Sequence, residues 1–427
     1  MKGMSLRRLA LRAGALFLVL IFLLGALVAW LNVRGEHALE TSVPTAPASS
    51  EVIARGAYLA RAGNCMGCHT TTAGPEFAGG RGIDTPFGIV FAPNITHDQK
   101  TGIGSWSADE FWRSLHHGRS KDGRLLYPAF PYPSFTQVSR EDSDALYAFL
   151  RSVPAVERAN TLHALRFPYS TQAALAVWRA LYFRPGGFEP DPGQSAEWNR
   201  GKYLTQGLGH CAACHSGRNP LGASGLSAQF GGGLMANGAW YAPSLASPSE
   251  AGVQRWPREQ VVRLLKDGVS AHASVSGPMA EVVFNSTQYL TGEDLDAMAR
   301  YLATIPVVEE PPARPGTASE EMMVAGQQVY EQHCAACHGD RGQGVSGMYP
   351  ALAGNRAVTL ASHVNLVQQI RQGGFSPTTA GNPRPFGMPP YGQVLSNDEI
   401  AAVATFVRQS WGNVASPVSP LDVLRVR

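Results

Sequence analysis

Cys65-Met66-Gly67-Cys68-His69, Cys211-Ala212-Ala213-Cys214-His215 and Cys334-Ala335-Ala336-Cys337-His338 account for all six cysteines of the 427-residue chain. Disulfides are the ordinary meaning of an even cysteine count in an exported protein. Disulfide pairing, however, predicts neither a CxxCH repeated three times nor a histidine in the fifth place each time. A zinc site would need a second ligand pair close by, and none of the three segments supplies one. The spacing matches covalent haem attachment, in which both thiols form thioether bonds and the adjacent imidazole reaches the iron. Cys65, Cys68, Cys211, Cys214, Cys334 and Cys337 are therefore expected to hold three haem c groups, with His69, His215 and His338 as the proximal iron ligands.

Outward from these motifs the chain repeats itself. Each motif follows a short helical pattern: Arg55-Gly56-Ala57-Tyr58-Leu59, Arg200-Gly201-Lys202-Tyr203-Leu204 and Ala325-Gly326-Gln327-Gln328-Val329-Tyr330. Each unit closes on a second amphipathic helix, with Ser139, Thr291 or Ser396 at the N-cap and Asp142, Asp294 or Glu399 three places on. That is the pattern of a capping box, in which hydroxyl and carboxylate each satisfy a backbone N–H. Phe149, Tyr301 and Phe406 follow on the face that should pack inward. The expected fold is mainly α: three tandem class I-like cytochrome c domains (51–158, 198–308 and 322–412) after an N-terminal transmembrane helix. A linker at 159–197 carries a helical apolar stripe (Leu175, Val177, Trp178, Leu181, Tyr182), which suits either core packing between domains or a docking face. A Pro- and acid-rich connector is expected at 309–321 and a tail at 413–427.

Composition narrows the setting. With 44% hydrophobic and 16% charged residues the chain is a folded protein. A net charge of +3, thinly spread, excludes a nucleic-acid surface. Lys2, Arg7, Arg8 and Arg12 precede an uncharged run at 13–33, longer than a signal-peptide core and long enough to span a bilayer. The positive-inside rule then puts the N-terminus in the cytoplasm and everything after Arg34 outside. An uncleaved anchor is expected at 13–33, followed by a flexible stalk at 34–50, with the haem domains on the periplasmic side of a bacterial inner membrane.

The ligand opposite each proximal histidine separates electron transfer from small-molecule binding, because a thioether there closes the site and raises its potential. Met388, in the Pro-stiffened Phe386-Gly387-Met388-Pro389-Pro390-Tyr391, is expected to fill that place in unit three. Met279, in Ser276-Gly277-Pro278-Met279-Ala280, is expected to do so in unit two, ahead of Met235 and Met298. Unit one breaks the pattern. Its one methionine, Met66, lies inside the haem motif, and Phe130 occupies the corresponding loop, Tyr127-Pro128-Ala129-Phe130-Pro131-Tyr132-Pro133. Either His116 or His117 (more weakly His97) supplies a second imidazole, or that iron is five-coordinate.

Three such units, with Thr85-Pro86-Phe87-Gly88, Asn94-Ile95-Thr96, Ser195-Ala196-Glu197-Trp198-Asn199, Gly207-Leu208-Gly209-His210 and Trp240-Tyr241-Ala242-Pro243 between them, resemble the tri-haem cytochrome c subunits of bacterial membrane-bound dehydrogenases. The resemblance runs from Glu51 to about Trp411. It implies a catalytic dehydrogenase subunit as electron donor, with membrane lipid and ubiquinone as the other partners and ubiquinone as acceptor. Relatives of this kind serve alcohol, gluconate or sugar, and molybdenum-type aldehyde dehydrogenases. Phe130, where the alcohol and sugar types often have methionine, and the uncleaved anchor favour the aldehyde type. An enzyme of another class, a multihaem peroxidase or thiosulfate-oxidising cytochrome, would use an open first haem as its reaction centre.

Overall fold

The computed structural model describes residues 6–36, 39, 47–224, 229–309 and 315–426. The described residues are mainly helical, with three small antiparallel sheets among them. Helix α1 (Leu6–Val33) is a run of good helix formers. Its stretch Leu9–Val33 is long and apolar enough to cross a membrane, and no part of the protein covers most of it.

Three helix pairs follow. The first unit contains α2 (Ser50–Ala62), α3 (Cys65–His69), α4 (Ala108–His117), α5 (Tyr132–Phe135) and α6 (Arg140–Ser152). After α7 (Gln172–Tyr182), the second contains α8 (Ala196–Lys202, prolonged by a π-helical stretch Tyr203–Leu208), α9 (Ala212–His215), α10 (Arg258–Asp267), α11 (Pro278–Asn285) and α12 (Gly292–Ala303). The third contains α13 (Glu320–His333), α14 (Ala335–His338), α15 (Arg356–Thr359), α16 (Val364–Gln372), α17 (Asn397–Gln409) and α18 (Pro420–Arg425). In each unit the opening helix packs on the closing one: α2 on α6, α8 on α12, α13 on α17. A glycine sits at every crossing. A Cβ at Gly56 would lie 1.9 Å from the Ala145 carbonyl oxygen, one at Gly201 1.9 Å from that of Ala297, and one at Gly326 2.3 Å from that of Ala402. The backbones approach this closely only because a side chain is missing.

The three closing helices begin as expected, with Ser139, Thr291 and Ser396 accepting from the N–H of Asp142, Asp294 and Glu399. The full capping box forms only at Ser396–Glu399. In the first two units it is replaced: the Asp142 and Asp294 carboxylates turn away to arginines and tyrosines.

One hydrophobic cluster runs through the first and second units together, while the third has its own. The segment at 159–197 is part of the body: β3 (Ala164–Leu165) completes a sheet with β1 (Gly82–Thr85) and β2 (Gly88–Phe91). On α7, Leu175 is buried, but Val177 and Leu181 are 48% and 61% exposed, so its stripe is only half absorbed by core packing. The segment at 413–427 is no tail, because α18 packs on α17 with Val418 and Val423 fully buried. Nor is the start of the stalk free: Glu36 accepts from Arg119 at 2.9 Å. Residues 40–46 of that stalk and 310–314 of the connector lie outside the described residues.

The end of α1 is fastened by polar groups. The Asn32 side-chain amide donates to the Ala176 carbonyl (2.9 Å) and accepts from Arg179 Nε (2.9 Å), and the Asn32 carbonyl accepts from Arg119 (2.8 Å). Arg179, 3% exposed, also donates to the carbonyls of His117 and Gly118.

Candidate haem-binding sites

Each CxxCH begins or forms a short helix, α3, α9 or α14, which puts its two cysteines on one face. All six thiols are free, with no disulfide despite the close pairing. Burial pushes Cys65 and Cys211 up to about 12 and Cys334 up to about 11, so these three lack the thiolate character of a reactive cysteine.

The histidines share one further feature. Nδ1 of His69, His215 and His338 is hydrogen-bonded to a proline carbonyl: Pro93 at 2.8 Å, Pro243 at 2.7 Å and Pro350 at 3.0 Å. A carbonyl can only accept, so Nδ1 carries the proton and Nε2 keeps its lone pair. Burial lowers the pKa of all three rings against that hydrogen bond and keeps them neutral. Two free thiols and a neutral imidazole with its second nitrogen held by a carbonyl are the donor set that thioether-bound haem iron requires. The prolines are held in turn. A Cβ at Gly79 would lie 2.3 Å from the Pro93 carbonyl carbon, and Glu250 accepts from the Ser244 N–H just after Pro243.

Met388 lies in a two-residue strand (Gly387–Met388) paired with Gly374–Phe375. Gln369 Nε2 is 3.8 Å from its sulfur, and Tyr391 O–H donates to the His333 carbonyl beside Cys334 (2.8 Å). Met279 opens α11 after Gly277, whose φ of +54° and closeness to the Trp240 ring suit glycine alone. Of its rivals, Met298 is packed in the core at 3% exposure and Met235 sits on a short hairpin.

In unit one Phe130 is partly buried and packs against the core, with its ring 5.3 Å from that of Phe135. His116 stacks on Trp112 at 4.4 Å, hydrogen-bonds to the Thr136 backbone, and has a buried Nδ1 without a partner among the described residues. His117 is buried beside it, and Nδ1 of His97 is taken by the Val153 carbonyl.

The first two motifs lie against each other. His210 hydrogen-bonds to the Gly63 backbone, and Arg81 donates both to the Gly67 carbonyl beside Cys68 and to Glu281, two residues after Met279. Sequence reading missed this junction and the three prolines. The prolines follow their histidines by 24, 28 and 12 residues, with no common spacing to betray them.

The comparisons name the class that this geometry defines. The cytochrome c family profile matches residues 53–154 and 323–411, one stretch around the first helix pair and one around the third. The alcohol dehydrogenase (quinone) cytochrome c subunit of Gluconacetobacter polyoxogenes is 39% identical, over 90% of this chain and 86% of that protein. The gluconate 2-dehydrogenase cytochrome c subunit of Pantoea cypripedii is 35% identical (89% and 90%), and the fructose dehydrogenase cytochrome subunit of Gluconobacter japonicus 33% identical (94% and 87%). The chain belongs to the cytochrome c subunits of membrane-bound dehydrogenases, and so binds haem c covalently and works in electron transport.

Proposed function

We propose that this chain holds three haem c groups, one on each CxxCH, and relays electrons from a periplasmic catalytic dehydrogenase subunit to ubiquinone at the bacterial inner membrane. The observation that carries the count is the same histidine–proline carbonyl bond at all three motifs. Bound haem supplies a reversible one-electron iron couple. The protein fixes each imidazole, offers Met279 and Met388 as thioether ligands in units two and three, and excludes water by burial. In unit one His116, with its unmatched ring nitrogen, is the proposed second imidazole.

The route follows the contacts. Unit three is bonded to unit two through Asn365–Tyr241 (2.7 and 2.8 Å) and Arg356 donating to the Pro248 carbonyl (2.7 Å). Unit one carries the end of α1. In this reading electrons leave from unit one, the unit that carries α1. The partner is read as an alcohol- or sugar-oxidising subunit, after the relatives that match about nine-tenths of the chain. Phe130 and the long α1 favoured an aldehyde-oxidising partner; the proposal instead follows these relatives, which are named for alcohol, gluconate and fructose dehydrogenases.

Copurification of the native complex, with pyridine haemochrome analysis of this subunit, tests the reading. Three haems and a catalytic dehydrogenase subunit are expected. Two or fewer haems in mature protein would refute the count.

A further inference from the structure

The first two units exchange hydrogen bonds that the third cannot make. Asp142 is bound by Arg55 of its own unit (2.9 Å) and accepts from the Tyr203 hydroxyl of unit two (2.6 Å). Asp294 is bound by Arg200 of its own unit (2.8 Å) and accepts from the Tyr58 hydroxyl of unit one (2.6 Å). Each tyrosine oxygen also accepts an N–H at the start of the other unit's closing helix: Ser139 for Tyr203 and Thr291 for Tyr58, both 3.2 Å. The contacts are reciprocal, with Arg-Gly-x-Tyr at residues 55–58 matched by 200–203. Both aspartates are buried, so each hydrogen bond to a carboxylate acts with little competition from water. At the matching places unit three has Ala325, Gln328 and Glu399, and its glutamate returns to its own N-cap.

We propose that Tyr58 and Tyr203 are positioning residues that lock the first two haem sites into one rigid pair with fixed separation and angle, while the third site joins that pair as a separate body. The proposal rests on haem occupancy of both motifs, as read above. The packing of the two motifs supports it, since His210 reaches Gly63 and the Arg81–Glu281 pair spans the junction. A crossed pair of bonds resists both sliding and rotation, which one bond could not do.

The test uses the full matured chain and two readouts. Haem content by pyridine haemochrome checks occupancy, and Soret circular dichroism reads the exciton couplet of two haems held close at a fixed angle. Wild-type protein should show a couplet. Tyr58→Phe and Tyr203→Phe should weaken it by matching amounts, and the double variant should lose it with haem content unchanged. Glu399→Gln, at the equivalent place in unit three, should leave it intact. A full complement of haem with no wild-type couplet, or with a couplet that survives both substitutions, overturns the proposal. Fewer haems in wild type would instead count against the occupancy reading. If the double variant fails to mature, the single variants decide, because a merely local role would not give equal losses from two different units.

Discussion

Asp294 shows how a residue can be legible in kind and not in role. Its place three residues after Thr291 reads as half of a capping box, yet its carboxylate serves Arg200 and Tyr58. The partner that diverts it comes from 236 residues away, and no local pattern carries that information. Burial opposes its charge, but the Arg200 and Tyr58 hydrogen bonds outweigh burial and hold the carboxyl below its ordinary 3.8. A depressed folded-state value adds stability above the unfolded pKa and loses it as pH falls through the folded one. The thermal midpoint of matured protein should therefore drop on acidification from about pH 5 to about pH 3, and Asp294→Asn should flatten that dependence. The proposed iron ligands rest instead on local signals, CxxCH and a Pro-flanked methionine. Met388→Ala and Met279→Ala should each remove part of the thioether-to-iron charge-transfer band and lower one haem potential; an unchanged band in both would reject the assignment. Phe130→Met should strengthen that band, whereas a wild-type band already at full strength for every haem would mean that Phe130 does not occupy the ligand position.

Among the elements, the helix crossings are the sharpest constraint. Gly56, Gly201 and Gly326 were visible as repeated residues, but what they meet was not: a backbone carbonyl of the closing helix, whose position only the folded pair defines. Inserting a methyl against backbone is overpacking, at about 1–3 kcal/mol or more. Gly201→Ala and Gly326→Ala should thus lower the unfolding midpoint of the matured chain clearly. Gly292→Ala, on the first residue of α12 with nothing within 4 Å, should be neutral or stabilising. Equal effects at all three sites would show that the crossings are looser than described. The capping pattern located all three closing helices, since the hydroxyl half of the signal is local and formed each time. The stripe on α7 was legible as a helix, but its partner α1 lies far off in sequence, joined to it through Asn32 and Arg179.

For the whole molecule, mainly helical architecture and the apolar N-terminal helix followed from sequence. The fusion of the first two units into one core did not, because it depends on which faces meet. Membrane retention is expected to depend on α1, so matured protein cleaved ahead of Glu51 should keep its haem and leave the membrane fraction. Its retention through a high-salt wash would assign a second anchoring role to the exposed Val177 and Leu181 of α7. The fastening of Asn32 has a consequence for how an acceptor is met. A soluble body hung on a loose tether samples every orientation, and most encounters with a lipid-dissolved molecule are then wasted. Here the last turn of the helix is gripped from two directions, by Arg119 and by Arg179. With α1 in a bilayer, as proposed, the body would not swivel about its own mooring, and the same flank would always be turned to the lipid. What would remain is a search in two dimensions by the small molecule alone, toward a landing place that keeps its height and heading.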